Sequence, residues 1–440
     1  MHDLVISNRP PGELRPYKDH ARTHSKRQLE QLEAAVVATG VINPILIDEA
    51  CEIIAGHARW IVAKKLRLNS VPTIMISALG DGQKRALRLA DNKIAQNAGW
   101  DTELLKIELQ HLCEIELDML PVIGFEPGEI EALLAPKSPD PDDDAIPAIP
   151  ERAVTQLGDI WRLSDHLVAC GDCRDGPLLQ VLMGGMLADA VFTDPPYNVA
   201  IDGFAGGKGK VRHREFAHAS GEMTAAEFTA FLRDALGASA RVSRDGAVHF
   251  VCMDHRHIRE LLEAADDVYA AQLNLCVWNK SNAGMGSLYR SKHELVFVFR
   301  VGQAQHLNTV ELGKHGRNRT NIWDYSSVNT FGGSRQQDLA LHPTVKPTSM
   351  VADAIRDVTR RGNLVFDGFL GSGTTLIAAE RVGRVFRGVE LDPLYVDLAL
   401  ARWAAMTGED PVFAETGESF EQVRQRRLGE DAEAQNAGAK

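Results

Sequence analysis

The stretch from Asn363 to Glu390 constrains the fold of this chain more than any other. Asn363-Leu364-Val365-Phe366-Asp367 is the apolar run of a buried strand. It is followed by Gly368-Phe369-Leu370-Gly371-Ser372-Gly373-Thr374-Thr375 and then a helical run from Leu376 to Arg381. A strand, a glycine-rich turn and a helix N-terminus form the place where a doubly wound α/β sheet receives a nucleotide-like ligand. Glycines there let the backbone approach the ligand with no side chain between. Val385-Phe386-Arg387-Gly388-Val389 reads as the next strand and ends in Glu390, about 20 residues past the turn, where an acid binds ribose hydroxyls. The turn lacks the lysine of a phosphate-binding P-loop. A nucleoside without a triphosphate therefore fits it, and S-adenosylmethionine is such a ligand.

A second motif lies upstream, where the apolar run Ala190-Val191-Phe192-Thr193 ends in Asp194-Pro195-Pro196-Tyr197. A buried strand with this ending brings a carboxylate, a rigid turn and an aromatic face to one point. Those groups suit methylation of the exocyclic amino group of a nucleobase. That nitrogen is a poor nucleophile until acceptors bind its hydrogens and its lone pair localises. Asp194 offers one acceptor and the carbonyl of Pro195 a second, directed by the two prolines. Tyr197 can stack on a base taken out of its helix. The competing reading of the four residues is a tight loop after a strand; the glycine turn and Glu390 favour the chemical one.

Together these motifs resemble the amino-methyltransferases of DNA, in the circularly permuted order of the β group, from about Gly158 to about Met406. The resemblance includes His342-Pro343-Thr344-Val345-Lys346-Pro347, Asn282-Ala283-Gly284-Met285-Gly286, Tyr289-Arg290, and His293-Glu294 ahead of the strand Leu295 to Phe299. Gly368 departs from the family, which usually has proline after the strand aspartate. The resemblance implies a Rossmann-like α/β fold dependent on S-adenosylmethionine. It implies Asp194, Pro195, Pro196 and Tyr197 as catalytic residues, and Asp172, Asp367, Phe369, Gly371, Gly373, Thr374, Glu390 and Lys346 as cofactor-binding ones. Aspartate at the first catalytic position favours adenine N6 as target, with cytosine N4 as the alternative. Transfer is expected to be direct, with no cysteine nucleophile and no metal, most of the rate coming from positioning and preorganised acceptors. The family often dimerises, and a homodimer stays open.

The net charge of −12 does not suit a duplex-DNA partner, but its distribution does. Between Lys280 and Lys346 there are nine Lys/Arg against four Asp/Glu, and Lys208, Lys210, Arg212 and Arg214 stand among glycines just after Tyr197. The glycine-rich loop is read as one that closes over the phosphate backbone. Residues 301–341 interrupt the alternation of strands and helices and are read as a target-recognition insertion. Within it Arg317, Arg319, Asn321 and Arg335 are candidate DNA contacts, since Arg and Asn read base edges bidentately.

The length of 440 residues suggests two or three domains. Residues 136–150, rich in proline and aspartate, read as a linker. The methyltransferase domain then runs over 151–406, and 407–440 read as a polar tail, either a frayed helix or disordered. Residues 1–135 form an N-terminal α+β domain: Ser25 caps a helix ended by Gly40, strands follow at 45–47 and 52–54, Gly56-His57-Ala58-Arg59 opens another helix, and a strand covers 73–76. This resembles the ParB-like fold of partition proteins. Their turn reads Gly-Glu-x-Arg and supports nucleotide binding; here His57 replaces the acid, so a nucleotide ligand is an open expectation and CTP hydrolysis is disfavoured. No run approaches the roughly 20 apolar residues of a membrane span, and six scattered cysteines fit buried thiols in a reducing cytoplasm. With no nuclease fused, an orphan or phage-associated modification enzyme is expected. The alternative from another class is a DNA-binding regulator with an inert methyltransferase core.

Overall fold

The computed structural model describes residues 4–135, 144, 146, 147, 149–198, 221–281, 288–326 and 345–437. The chain divides into two compact units, residues 1–135 and 136–440.

In the first unit, β1 (Ile6–Arg9) precedes α1 (Lys26–Thr39), which Ser25 opens by accepting the Gln28 N–H at 3.1 Å. Next come β2 (Ile45–Ile47), β3 (Ile53–Ala55), α2 (His57–Lys65) and β4 (Val71–Met75). The strands form one sheet in the order β1-β4-β2-β3. Their short apolar runs bury Ile45, Ile47, Ile53 and Val71 together with Leu14 and Ala63. Three helices follow, α3 (Asp81–Gln96), α4 (Thr102–Ile115) and α5 (Pro127–Leu133), the last two sharing a small core of Leu109, Ile130 and Leu134.

The second unit begins with the hairpin β5 (Ile160–Leu163) and β6 (His166–Cys170), then α6 (Gly176–Met183), β7 (Ala188–Thr193), α7 (Ala225–Arg241), β8 (Ser243–Met253) and α8 (Ile258–Asp266). Thr224 and Glu227 close the expected capping box at the start of α7. The chain continues through β9 (Ala271–Lys280), β10 (His293–Arg300), β11 (Ile322–Tyr325), α9 (Thr348–Val358), β12 (Leu364–Asp367), α10 (Thr374–Arg381), β13 (Val385–Glu390), α11 (Pro393–Thr407), β14 (Val412–Phe413) and α12 (Phe420–Ala437). One ten-stranded sheet results, in the order β11-β9-β10-β8-β7-β12-β13-β6-β5-β14.

The five strands from β8 to β6 run parallel. Their near-continuous apolar sequences suit strands covered on both faces. β7 leads through α7 to β8 on one side, and β12 leads through α10 to β13 on the other. Because β7 and β12 are neighbours, the strand order reverses between them, and the crevice beyond their C-terminal ends is where such sheets bind ligands. β10 runs antiparallel between β8 and β9, so its first residues and the last residues of β9 reach that same sheet edge.

Two expectations need correction. The segment 407–440 is not a detached tail: β14 pairs with β5, Phe413 and Phe420 flank the buried Trp161 at ring distances of 5.3 Å, and Arg427 is ion-paired with Asp159. Apolar residues spaced through a polar stretch supply the cover that this sheet edge otherwise lacks. The segment 301–341 is also not wholly an insertion, because β11 lies within it and extends the sheet beside β9. No helix among the described residues is long and apolar enough to cross a membrane.

Candidate active site

Both sequence motifs end at the crevice. Thr193, the last residue of β7, donates its hydroxyl to Asp367 Oδ1 at 2.9 Å, and Asp367 ends β12. Asp367 is buried and also accepts from Thr375 Oγ1 at 2.7 Å and from the Phe369 N–H at 3.0 Å. Burial lifts its carboxyl to about 6 despite these donors. Its carboxylate therefore fixes the turn and the preceding strand.

The glycine turn is shaped by its neighbours. Gly373, at φ +88, packs so closely on α11 that an added Cβ would lie 2.9 Å from the Cβ of Ala399. Gly371, at φ +53, faces open space, with the nearest atom to an added Cβ 4.0 Å away. Beside it Glu390 accepts the N–H groups of Gly371 at 2.8 Å and Asp392 at 2.9 Å. Burial raises the Glu390 carboxyl to about 7, against the pull of those two N–H groups. Thr374 begins α10, and its hydroxyl is reached by Arg402, which also holds the Ser372 carbonyl from below at 2.6 Å. Asp172 follows β6, where the Gly171 N–H bonds the Glu390 carbonyl at 2.8 Å. The Asp172 carboxylate pairs with Arg174 at 2.6 Å, and Arg174 and Phe369 both lie against the Phe231 ring.

On the other side of the crevice stands a cluster of charges. The Tyr197 hydroxyl donates to Asp194 Oδ1 and lies 2.6 Å from Glu294 Oε1. Lys346 Nζ is 2.5 Å from Asp194 Oδ2 and 2.8 Å from Glu294 Oε1, and Lys280 Nζ is 2.8 Å from Glu294 Oε2. Burial and the nearby Glu294 raise the Asp194 carboxyl, with Lys346 opposing them. Burial also acts to raise Glu294, but Lys346 and Lys280 outweigh it and hold this carboxyl at about 2. Lys346 is pushed up, because its two carboxylate partners overcome its burial. Pro195 is buried.

Lys346, expected at the cofactor, has its ammonium in this carboxylate cluster, paired with two acids. Glu294 and Lys280 received no role from the sequence. The available signal was an acid opening an otherwise apolar strand, facing a lysine that closes the preceding one.

Comparison with known proteins finds three family matches along the chain. Residues 188–401 match a DNA methylase family of N6/N4 type, residues 4–93 the ParB N-terminal domain, and residues 103–157 the ParB-methyltransferase HTH domain. The ParB-like nuclease domain-containing protein YnaK of Escherichia coli (strain K12) is 50% identical over 82 residues, which are 19% of this chain and 94% of YnaK. The type II methyltransferase M2.MboI of Moraxella bovis is 23% identical over 226 residues, 50% of this chain and 81% of that protein. The chain is a DNA methylase fused to a ParB-like domain. The crystal structure of the M1.HpyAVI–SAM complex is similar over 54% of the methylase chain and 98% of its own, at 17% identity and a TM-score of 0.38.

S-adenosylmethionine is the methylase's cofactor, and the crevice fits it. The backbone at Gly371 is uncovered, a carboxylate suited to ribose hydroxyls stands beside it, and the turn carries no lysine to demand a triphosphate. Two of the expected DNA contacts do not reach outward. Arg317 pairs with Asp357 at 2.5 Å, and Arg319 with Asp357 at 3.0 Å and Asp353 at 3.2 Å, under Tyr325. Two acids on one face of α9 claim both guanidinium groups, so the reading of Arg317 and Arg319 as DNA contacts is corrected: they fasten the segment before β11 to α9. Asn321 is exposed, and its amide donates to the Leu275 carbonyl at 3.1 Å. Lys208, Lys210, Arg212 and Arg335 lie outside the described residues, as do the glycine-rich loop and residues 282–287 and 342–344.

Proposed function

We propose that this methylase transfers a methyl group to N6 of adenine in duplex DNA, with Asp194 and the carbonyl of Pro195 accepting the amino hydrogens. The observation that carries the reading is an acceptor-only carboxylate at the end of β7, joined through Thr193 and Asp367 to the glycine turn on β12. When bound, S-adenosylmethionine supplies a methyl group activated by its sulfonium. The side chains do the rest. Asp194 accepts one N–H and takes up the proton the nitrogen sheds, Pro195 fixes the second N–H, and the Tyr197 ring supports the face of the extruded base. Acceptors held in place before the base arrives need no reorganisation during the reaction. Aspartate rather than serine at position 194 supports adenine over cytosine. Glu390, Gly371, Asp172 and Phe369 are proposed to line the cofactor's nucleoside end.

The ParB-like unit is proposed to position the enzyme rather than to hydrolyse a nucleotide. In support, His57 stands where partition proteins carry the acid. It accepts the Tyr17 N–H at 3.2 Å, stacks on His20 at 3.7 Å, and is held neutral by burial, with a pKa of about 4. Phosphate release from CTP by the full chain would overturn this part.

The main reading is tested by incubating the full chain with labelled S-adenosylmethionine and mixed-sequence duplex DNA, then identifying the nucleosides by mass spectrometry. N6-methyladenine is expected. N4-methylcytosine would overturn the choice of base, and no methylated nucleoside would overturn the reaction.

A further inference from the structure

The carboxylate that this reaction needs is fully engaged in the structure. Asp194 Oδ1 holds the Tyr197 hydroxyl and Oδ2 holds Lys346. The groups facing Asp194 are Tyr197 on its own turn, Cys252 on β8, Glu294 on β10, Asp367 on β12 and Lys346 ahead of α9. Lys346 alone among these described groups carries positive charge. Its side chain is 4% exposed, that of Glu294 9% and that of Asp194 27%.

Two carboxylates sharing a poorly solvated site do not both stay ionised without compensation; one of them takes a proton. An amino-group acceptor must be the ionised one, because a protonated carboxyl presents a donor where an acceptor is required. A single buried ammonium between the two acids resolves the conflict. Its own burial would be costly if it were unpaired, but it has both carboxylates as partners. Lys280, at the end of β9, fixes the far oxygen of Glu294, so the shared oxygen is aimed at Lys346. The Tyr197 hydroxyl already lies within bonding distance of Glu294 Oε1. It can rest there and release Asp194 Oδ1 while Lys346 keeps Oδ2.

We infer that Lys346, aimed by Glu294, is a positioning residue that keeps Asp194 ionised and leaves Oδ1 as the oxygen presented to the base. The inference rests on the methyl-transfer reading of Asp194. Nothing in it requires Lys346 to touch base or cofactor.

The test is the pH dependence of kcat/KM for the full chain with duplex DNA and S-adenosylmethionine. Activity requires ionised Asp194, so it falls on the acid side as Asp194 protonates. Loss of an opposite charge within about 4 Å releases a shift of about 1–3 pH units. Lys346→Met is expected to move the acid limb upward by that amount, with cofactor affinity unchanged and activity recovering at high pH. Lys346→Arg is expected to leave the limb in place. Glu294→Gln, which keeps the shape and removes the competing negative charge, is expected to move the limb down. If Lys346→Met does not fold, Glu294→Gln, which moves the limb down, and Lys346→Arg, which leaves it in place, still decide the matter. An unmoved limb in Lys346→Met, or an upward one in Glu294→Gln, overturns the inference. Weakened cofactor binding with an unmoved limb would return Lys346 to the cofactor site. The methyl-transfer reading fails separately, if wild type methylates no base or Asp194→Ala still does.

Discussion

The hydroxyl of Thr193 donates to the carboxylate of Asp367 across 2.9 Å. One residue ends the strand that presents Asp194, and the other ends the strand that leads into the glycine turn. The two halves of the crevice, distant in sequence, are therefore tied by this buried hydrogen bond as well as by the direct pairing of β7 with β12.

This bond makes a stability prediction. Removing a donor from a buried carboxylate costs about 1–3 kcal/mol, so Thr193→Val should unfold at lower temperature than wild type. The folded pKa of Asp367, about 6, lies above the ordinary 3.8. Its contribution to stability is thus complete below the unfolded value and is lost as pH rises through about 6. Without Thr193 that pKa rises further, so the deficit of the variant should widen between pH 4 and pH 8. Thermal unfolding at those two pH values checks this, and a deficit that narrows with pH would contradict it.

Glu390 predicts how cofactor affinity responds to pH. In its proposed role the ionised Glu390 carboxylate accepts from ribose hydroxyls, while burial holds the free group at about 7. Below that value binding must first release a proton. Calorimetric affinity for S-adenosylmethionine should strengthen as pH rises from 6 towards 8 and then level off. Glu390→Gln should bind more weakly and lose the pH dependence; a variant that retained the slope would place its origin elsewhere.

Much of the catalytic unit was legible in the sequence because its signals are local. The buried strands are unbroken apolar runs, α7 carries its own capping box, and the turn between β12 and α10 has a composition few other structures require. The partners of Asp194 were not legible. Glu294 and Lys346 are brought to it by the antiparallel course of β10 and by the segment entering α9, and no spacing rule links these to residue 194. Arg317 and Arg319 misled for a related reason: a basic cluster looks the same in sequence whether it faces phosphate or two aspartates on a helix. β14 and the docking of the C-terminal helix were missed because their few apolar residues make sense only beside Trp161.

The corrected role of Arg319 is open to direct test. Breaking a buried pair by removing one partner costs roughly 3–5 kcal/mol, and Asp357 would be left with only Arg317. Arg319→Ala should lower the unfolding temperature markedly. In the folded fraction, the salt dependence of DNA binding should match wild type. A slope reduced by about one would mark a phosphate contact after all.

The C-terminal segment should behave as part of the catalytic unit. Phe413 is buried against Trp161, and phenylalanine-to-alanine changes in such positions cost about 3–5 kcal/mol. Phe413→Ala, or truncation after Gly408, should destabilise the unit in thermal denaturation. Truncation with unchanged stability would restore the picture of a detached tail.

The central claim is that Asp194 is the acceptor for the amino group of adenine. It is tested most directly by single-turnover methylation of duplex DNA with wild type and Asp194→Ala, each first shown by calorimetry to bind S-adenosylmethionine. The account predicts N6-methyladenine from wild type and a loss of about 100-fold or more in the variant, with cofactor affinity retained. Methylation by Asp194→Ala at the wild-type rate would contradict it.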